Sequence, residues 1–261
     1  MTILDKIIAH KRREVAERRV SITPSLMRQS ELFNQPRQSL VQALRGSDKT
    51  GIIAEFKRRS PSKGWINEKA NAAEIAAGYE SAGASALSIL TDGEFFGGSN
   101  ADLIGAFLTV KIPILRKDFI VDEYQIVEAR SVGASAILLI AAALSEKEIK
   151  DLARVAHELG LEVLLEIHEI REIPDDLTNI DIIGVNNRNL KDFTVDVNRS
   201  IKIAQSLPTE MLKISESGLS DAATLKELKA VGFGGFLIGE TFMKTENPAA
   251  ACARLIEQLK S

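Results

Sequence analysis

From Gly51 onward, short apolar runs alternate with longer segments whose apolar positions recur every three or four residues. The first kind reads as buried strands and the second as helices with one buried face. The pattern predicts strands at Ile52–Lys57, Ala86–Leu90, Ile112–Lys117, Ala136–Ile140, Glu162–Ile167, Ile182–Asn186, Leu212–Glu216 and Gly235–Gly239. Helices are predicted at Ala72–Ala82, Asp102–Val110, Glu123–Val132, Glu146–Leu159, Val197–Ser206 and Asp221–Ala230, with one more at the C-terminal end. The strands recur at roughly 25-residue spacing, the size of one βα unit in a (β/α)8 barrel. An internal repeat agrees: Ser81-Ala82-Gly83-Ala84-Ser85-Ala86 matches Ser131-Val132-Gly133-Ala134-Ser135-Ala136, each with a glycine where a helix turns into the next strand. A doubly wound open sheet is the rival, but Lys57–Gly64 lacks the glycine fingerprint such a sheet carries after its first strand.

Ahead of the barrel, residues 2–19 show helical spacing at Leu4, Ile7, Ile8 and Val15, with Thr2 as N-cap. Shorter helical pieces follow around Ser25–Gln29 and Ser39–Leu44. The fold class is therefore α/β: a (β/α)8 TIM barrel over 49–261, preceded by an N-terminal helical extension, 1–48, that packs on it and has no core of its own.

Composition narrows the class. With 261 residues, 45% hydrophobic content and mean hydropathy +0.00, the chain is an ordinary globular protein. A net charge of −3 offers no generic attraction for nucleic acid or anionic membranes. Apolar runs such as Ala136–Ala143 are too short to span a bilayer, and no signal-peptide pattern opens the chain. The lone cysteine, Cys252, sits among alanines as a packing residue and fits a reducing, cytoplasmic setting. The chain stops after its eighth unit, so no fused partner is expected, and a monomer is.

Candidate chemistry gathers where strands end, the rim that carries the active site in such a barrel. Glu55 and Lys57 lie two apart on strand one and face the same side, ~6.6 Å apart along the chain. Their attraction is about 2.5 kcal/mol at an effective dielectric of 20, so burying both suits a site more than a core. Strand three supplies Lys117, strand five Glu166, and strand six Asn186 and Arg188. Ser217-Gly218 and Gly239-Glu240 close strands seven and eight with small residues whose backbone N–H groups can approach an anion. With Lys57 and Ser60 across the mouth, they point to phosphate, with Glu240 contributing through its backbone. Phe96 and Phe119 offer an aromatic wall, and Trp65 a surface cover. Lys11-Arg12-Arg13 reads mainly as a solvated helix face, and Arg58 and Arg59 as loop surface. His10, His157 and His168 show no metal-binding spacing and are placed at surface or supporting positions; no metal is expected.

Ala54-Glu55-Phe56-Lys57-Arg58-Arg59-Ser60-Pro61-Ser62-Lys63-Gly64, Leu115-Arg116-Lys117-Asp118-Phe119, Leu165-Glu166, Asn186-Asn187-Arg188, Glu216-Ser217-Gly218 and Leu237-Ile238-Gly239 occur in this order. Together they resemble the indole-3-glycerol-phosphate synthase family over nearly the whole chain, the extension included. Departures are confined to loops: Asn189 stands where Asp is common, and Gly97-Gly98 is unusual after strand two. The resemblance implies a cofactor-free lyase of tryptophan biosynthesis that closes, decarboxylates and dehydrates 1-(2-carboxyphenylamino)-1-deoxy-D-ribulose 5-phosphate. It implies Lys117 as general acid, its pKa lowered by burial beside other cations. Glu166 would be the base of dehydration and Lys57 an acid and carboxylate clamp. Glu55 would orient Lys57, while Asn186 and Arg188 would hold the substrate hydroxyls and Glu166. Ser60, Phe96, Phe119, Ser217, Gly218, Leu237, Gly239 and Glu240 complete the substrate-binding set. Two readings stay open beside it: a sugar-phosphate isomerase such as phosphoribosylanthranilate isomerase, and a barrel that only binds a phosphorylated ligand.

Overall fold

Eight parallel strands close on themselves, each pairing with its chain neighbours and the last with the first. In this computed structural model, which describes residues 2–46, 49–189 and 193–261, they are β1 (Ile52–Phe56), β2 (Ala86–Leu90), β3 (Ile114–Lys117), β4 (Ala136–Ile140), β5 (Glu162–Ile167), β6 (Ile182–Asn186), β7 (Leu212–Glu216) and β8 (Phe233–Ile238). The architecture is the (β/α)8 barrel read from the periodicity. The boundary drawn at 48 lies outside the described residues.

Strand alternation sorts the buried residues into two cores. Outward-facing Ile52, Ala54, Phe56, Leu87 and Ile89 join the layer between strands and helices. Inward-facing Ile53, Ala86, Leu115, Leu164, Ile182 and Ile214 fill the barrel itself. The repeated glycines Gly83 and Gly133 adopt φ of +93° and +105°, a region in which a side chain is strained, and so reverse the chain from helix to strand.

The extension contributes α1 (Ile3–Ser21), α2 (Pro24–Met27) and α3 (Leu40–Arg45). Leu40 and Leu44 of α3 plug the floor of the barrel. Glu162 at the start of β5 caps that helix, accepting from the N–H groups of Leu40 at 2.6 Å and Val41 at 3.1 Å. The last strand, expected from Gly235, already begins at Phe233. Gly235 keeps its place in it beside the plug: a Cβ there would stand 3.3 Å from Leu44 and 2.7 Å from Ile214.

At the opposite rim α1 crosses the mouth; Arg12 and Arg13 of its basic run are exposed as expected, and Lys11 is the exception. Lys11 is only 1% exposed. Its ammonium lies 2.8 Å from Glu14, 2.9 Å from Asp92 and 3.0 Å from Asp118. Asp118 in turn meets Arg116, fully buried on the outer face of β3, at 3.0 Å; Arg116 meets Glu128 at 2.5 Å, and Glu128 meets Arg18 of α1 at 2.6 Å. A chain of charges thus pins α1 to the barrel at two points. Arg58 is likewise no surface residue: it holds Asp102 with two bonds of 2.7 Å and donates to the carbonyls of Ala70 and Gly97.

Candidate active site

The strand-end rim encloses a cavity of about 550 Å³. Residues of β1, β3, β5, β6 and β7 form its charged floor, Phe96 and Phe119 stand on one side with ring centres 5.8 Å apart, and Ile3, Leu4 and Ile7 of α1 roof it. Lys57 directly follows β1, and its ammonium meets Glu55 at 2.6 Å, as their shared face requires. Gly239 makes room for this pair, because a Cβ there would stand 2.3 Å from a Glu55 carboxylate oxygen.

Lys117 projects inward from β3 and reaches two carboxylates, Glu166 of β5 at 2.9 Å and Glu216 of β7 at 2.5 Å. Glu216 is absent from the expected site residues, and it makes the closest contact of the floor lysine. Its signal in the sequence is a single acidic residue ending the otherwise apolar-facing β7, on the same face as Ile214. Gly184 accommodates it, since a Cβ there would fall 2.3 Å from its second oxygen.

The electrostatics overturn the lowered pKa expected of Lys117. Burial opposes its charge, but Glu166, Glu216 and Glu55 outweigh burial and hold its pKa above the ordinary lysine value. The two carboxylates diverge. Burial raises both, but Glu166 is pulled down by Lys117, His168 and the N–H that Asn186 donates at 3.1 Å. Glu216 has Lys117 alone, its other oxygen is buried without a partner, and its pKa is pushed up to about 7. Glu166 is therefore biased toward its ionised form and Glu216 toward its protonated form, a division suited to acid–base work.

Asn186 and Arg188 part company. Asn186 holds Glu166, whereas Arg188 touches Asn186 only through its backbone N–H at 3.0 Å and sends its guanidinium to Glu240 at 3.4 Å. Lys63 approaches the same carboxylate at 4.0 Å. Ser217 and Gly218 both take left-handed backbone, with φ of +70° and +75°. For serine this costs about 1–2 kcal/mol. Asn187 secures the turn, donating to the Ser217 carbonyl at 3.1 Å and the Ser215 hydroxyl at 2.9 Å. Ser60, Gly218, Leu237, Gly239 and Glu240 all line the same cavity. In the loop after β1, Arg59–Ser60 pairs antiparallel with Gly64–Trp65, and Trp65, 51% exposed, lies under the Arg59 guanidinium at 5.5 Å. Among the histidines, His10 packs edge-on against Phe95, His157 meets Asp181 at 2.8 Å, and His168 is buried beside Glu166.

The fold and the rim define the class: a parallel barrel that gathers two lysines and three carboxylates at its strand ends, an arrangement that can exchange protons. Residues 4–255 match the family model of indole-3-glycerol phosphate synthase. The chain is 51% identical over 258 residues to the indole-3-glycerol phosphate synthase of Bacteroides thetaiotaomicron, with 99% of each chain covered. Against that of Burkholderia vietnamiensis it is 43% identical, over 97% of this chain and 98% of the other. The chain belongs to the indole-3-glycerol phosphate synthase family, whose members are carboxy-lyases. A thiamine phosphate pyrophosphorylase from Pyrococcus furiosus shares the fold alone, with TM-score 0.56 and 14% identity over 80% of this chain and 94% of that one. Among the described residues no helix is long and apolar enough to cross a membrane.

Proposed function

We propose that the rim converts 1-(2-carboxyphenylamino)-1-deoxy-D-ribulose 5-phosphate to indole-3-glycerol phosphate, CO2 and water, without a cofactor. The observation that carries the reading is the single ammonium of Lys117 held between Glu166 and Glu216 on the cavity floor. The substrate phosphate lies against Ser60, the Ser217–Gly218 and Gly239–Glu240 backbone, and the basic lip of Lys63 and Arg188. Its ring rests on Phe96, Phe119 and Leu237, and Lys57, oriented by Glu55, holds the ring carboxylate.

In the first step the ring carbon bearing the carboxylate attacks the ketone, and Lys117 protonates the oxygen as charge develops there. A lysine held above its ordinary pKa still suffices, because an alkoxide is a far stronger base than an amine. Glu216, whose pKa is pushed up by burial, lies 2.5 Å from Lys117 and is placed to return a proton to it. Loss of CO2 returns the electron pair to the ring. Glu166 then removes the proton whose departure forms the new double bond, and Lys57 protonates the leaving hydroxyl. Enclosure between the aromatic wall and α1 favours the folded substrate conformation that ring closure requires.

One chain completes this site, so a monomer suffices, and the unpaired, buried Cys252 suits the cytoplasm. Replacing Lys117 by Ala tests the roles. Turnover is expected to fall by about 10³-fold or more while indole-3-glycerol phosphate still binds in equilibrium titration. Turnover within tenfold of the parent (about 1.4 kcal/mol) would remove Lys117 from the acid role.

A further inference from the structure

His168 is used by none of the steps above, yet it is buried and stands one strand step beyond Glu166 on the same face of β5. It does not line the cavity. Its Nε2 lies 3.5 Å from Glu166 Oε1 and its Nδ1 3.5 Å from Glu172 Oε2. Neither nitrogen has a formed hydrogen bond, and each has an acidic oxygen before it. Glu172 is itself anchored, because its Oε2 accepts the His168 backbone N–H at 2.6 Å. A short helical turn, Ile170–Glu172, brings it there. A neutral imidazole has one N–H and one lone pair, so it would set a lone pair against one of the two carboxylates. Only the imidazolium presents an N–H to both.

We propose that His168 is a positioning residue for Glu166: lodged as an imidazolium between Glu172 and Glu166, it fixes the orientation and the ionised state of the carboxylate that takes the substrate proton. The proposal rests on the assignment of Glu166 as base. The charged groups around the ring are consistent with it. Glu166 comes from the same strand, Glu172 from the following turn and Glu216 from β7; each is acidic, and Lys117 lies beyond Glu166. Burial works against charging the ring, but Glu172 and then Glu166 outweigh it, and its pKa lies above the ordinary 6.5. With Asn186 and His168 at Oε1 and Lys117 at Oε2, Glu166 is held on both oxygens. When Lys117 turns to the ketone oxygen, His168 and Asn186 keep the base in place.

The test follows kcat and KM across about pH 6–9.5, together with the NMR titration of the imidazole Cε1–H signals. The chain has three histidines, so His168→Gln assigns the signal by its loss. In the parent, the expected result is an alkaline fall in kcat at the pH where His168 loses its proton. His168→Gln should lower kcat about tenfold, leave KM within about twofold and lack that limb. Glu172→Gln should move both the limb and the NMR titration to lower pH, since it removes the group that most favours the charged ring. A purely structural residue would lower thermal stability and kcat alike at every pH without moving the limb. A wild-type His168 titration at or below the ordinary value overturns the proposal. So does a limb unchanged in His168→Gln. If His168→Gln does not fold, Glu172→Gln and the wild-type titration decide. Glu166→Gln separates the two readings: if it is inactive while the limb ignores His168, only this proposal falls, and if it turns over normally, the base assignment falls first.

Discussion

Glu166 and Glu216 are chemically identical side chains sharing one lysine, and their surroundings shift their pKa values in opposite directions. Glu166 collects an amide N–H and a nearby histidine; Glu216 has neither, and one of its oxygens is buried without a partner. This has a consequence for stability. With a folded pKa of about 7 against an ordinary 4.5, Glu216 keeps a proton that the unfolded chain releases between those values. Its contribution is therefore complete below pH 4.5 and is lost as pH rises toward 7. Glu216→Gln should flatten the decline in unfolding free energy across that window, measured by urea denaturation at stepped pH. An identical slope in parent and variant would show that Glu216 is ionised throughout. None of this was legible in the local sequence. The expectation of a lysine lowered by burial beside other cations misses the carboxylates that surround Lys117. Its actual partners come from 49 and 99 residues further on.

Secondary-structure elements carry the signal that single residues lack. A strand buried on both faces shows as an apolar run, and a charge interrupting it on the inward face, as at Glu55, Lys117, Glu166 and Glu216, marks the rim. That pattern alone places the barrel strands and most of the charged residues of the rim. It failed for α1, because a helix that buries a lysine has the same amphipathic spacing as one that exposes it, and only the acidic groups of two distant loops reveal the difference. Lys11→Met should cost about 3–5 kcal/mol, the penalty of leaving buried Asp92 without Lys11 and Asp118 with Arg116 alone. It should also raise KM, as Ile3, Leu4 and Ile7 lose their anchorage over the cavity. A variant with parental stability would mean that those carboxylates find other partners. The α3 plug gives the contrast. Leu44→Ala should cost about 2–5 kcal/mol by opening a cavity in the floor, yet leave kcat near the parental value at a temperature where both proteins are folded. A fall in kcat matching that of a rim substitution would contradict the separation of the two ends.

At the scale of the whole molecule, the barrel keeps stability and chemistry at opposite ends. The end of the barrel where strands begin is apolar and closed by α3, while the rim holds charges that would be costly anywhere else. The extension joins the two: α3 seals one end and α1 roofs the other, so segments without a core of their own become parts of both. The order of strands and helices and the position of the rim follow from local spacing and are readable from periodicity; Phe96 and Phe119 are readable only from the residues of their loops and the family resemblance. The pairing of charges across the rim, the burial of Arg116 and the clamp of Arg58 on Asp102 were not, since they depend on which loops closure brings together. The central claim is that this rim performs the whole sequence of ring closure, decarboxylation and dehydration. The most direct measurement supplies purified protein with 1-(2-carboxyphenylamino)-1-deoxy-D-ribulose 5-phosphate and follows indole fluorescence and CO2 release together. The account predicts that both appear at the same rate, one CO2 for each indole formed. Folded protein that binds the substrate and releases neither product would contradict it.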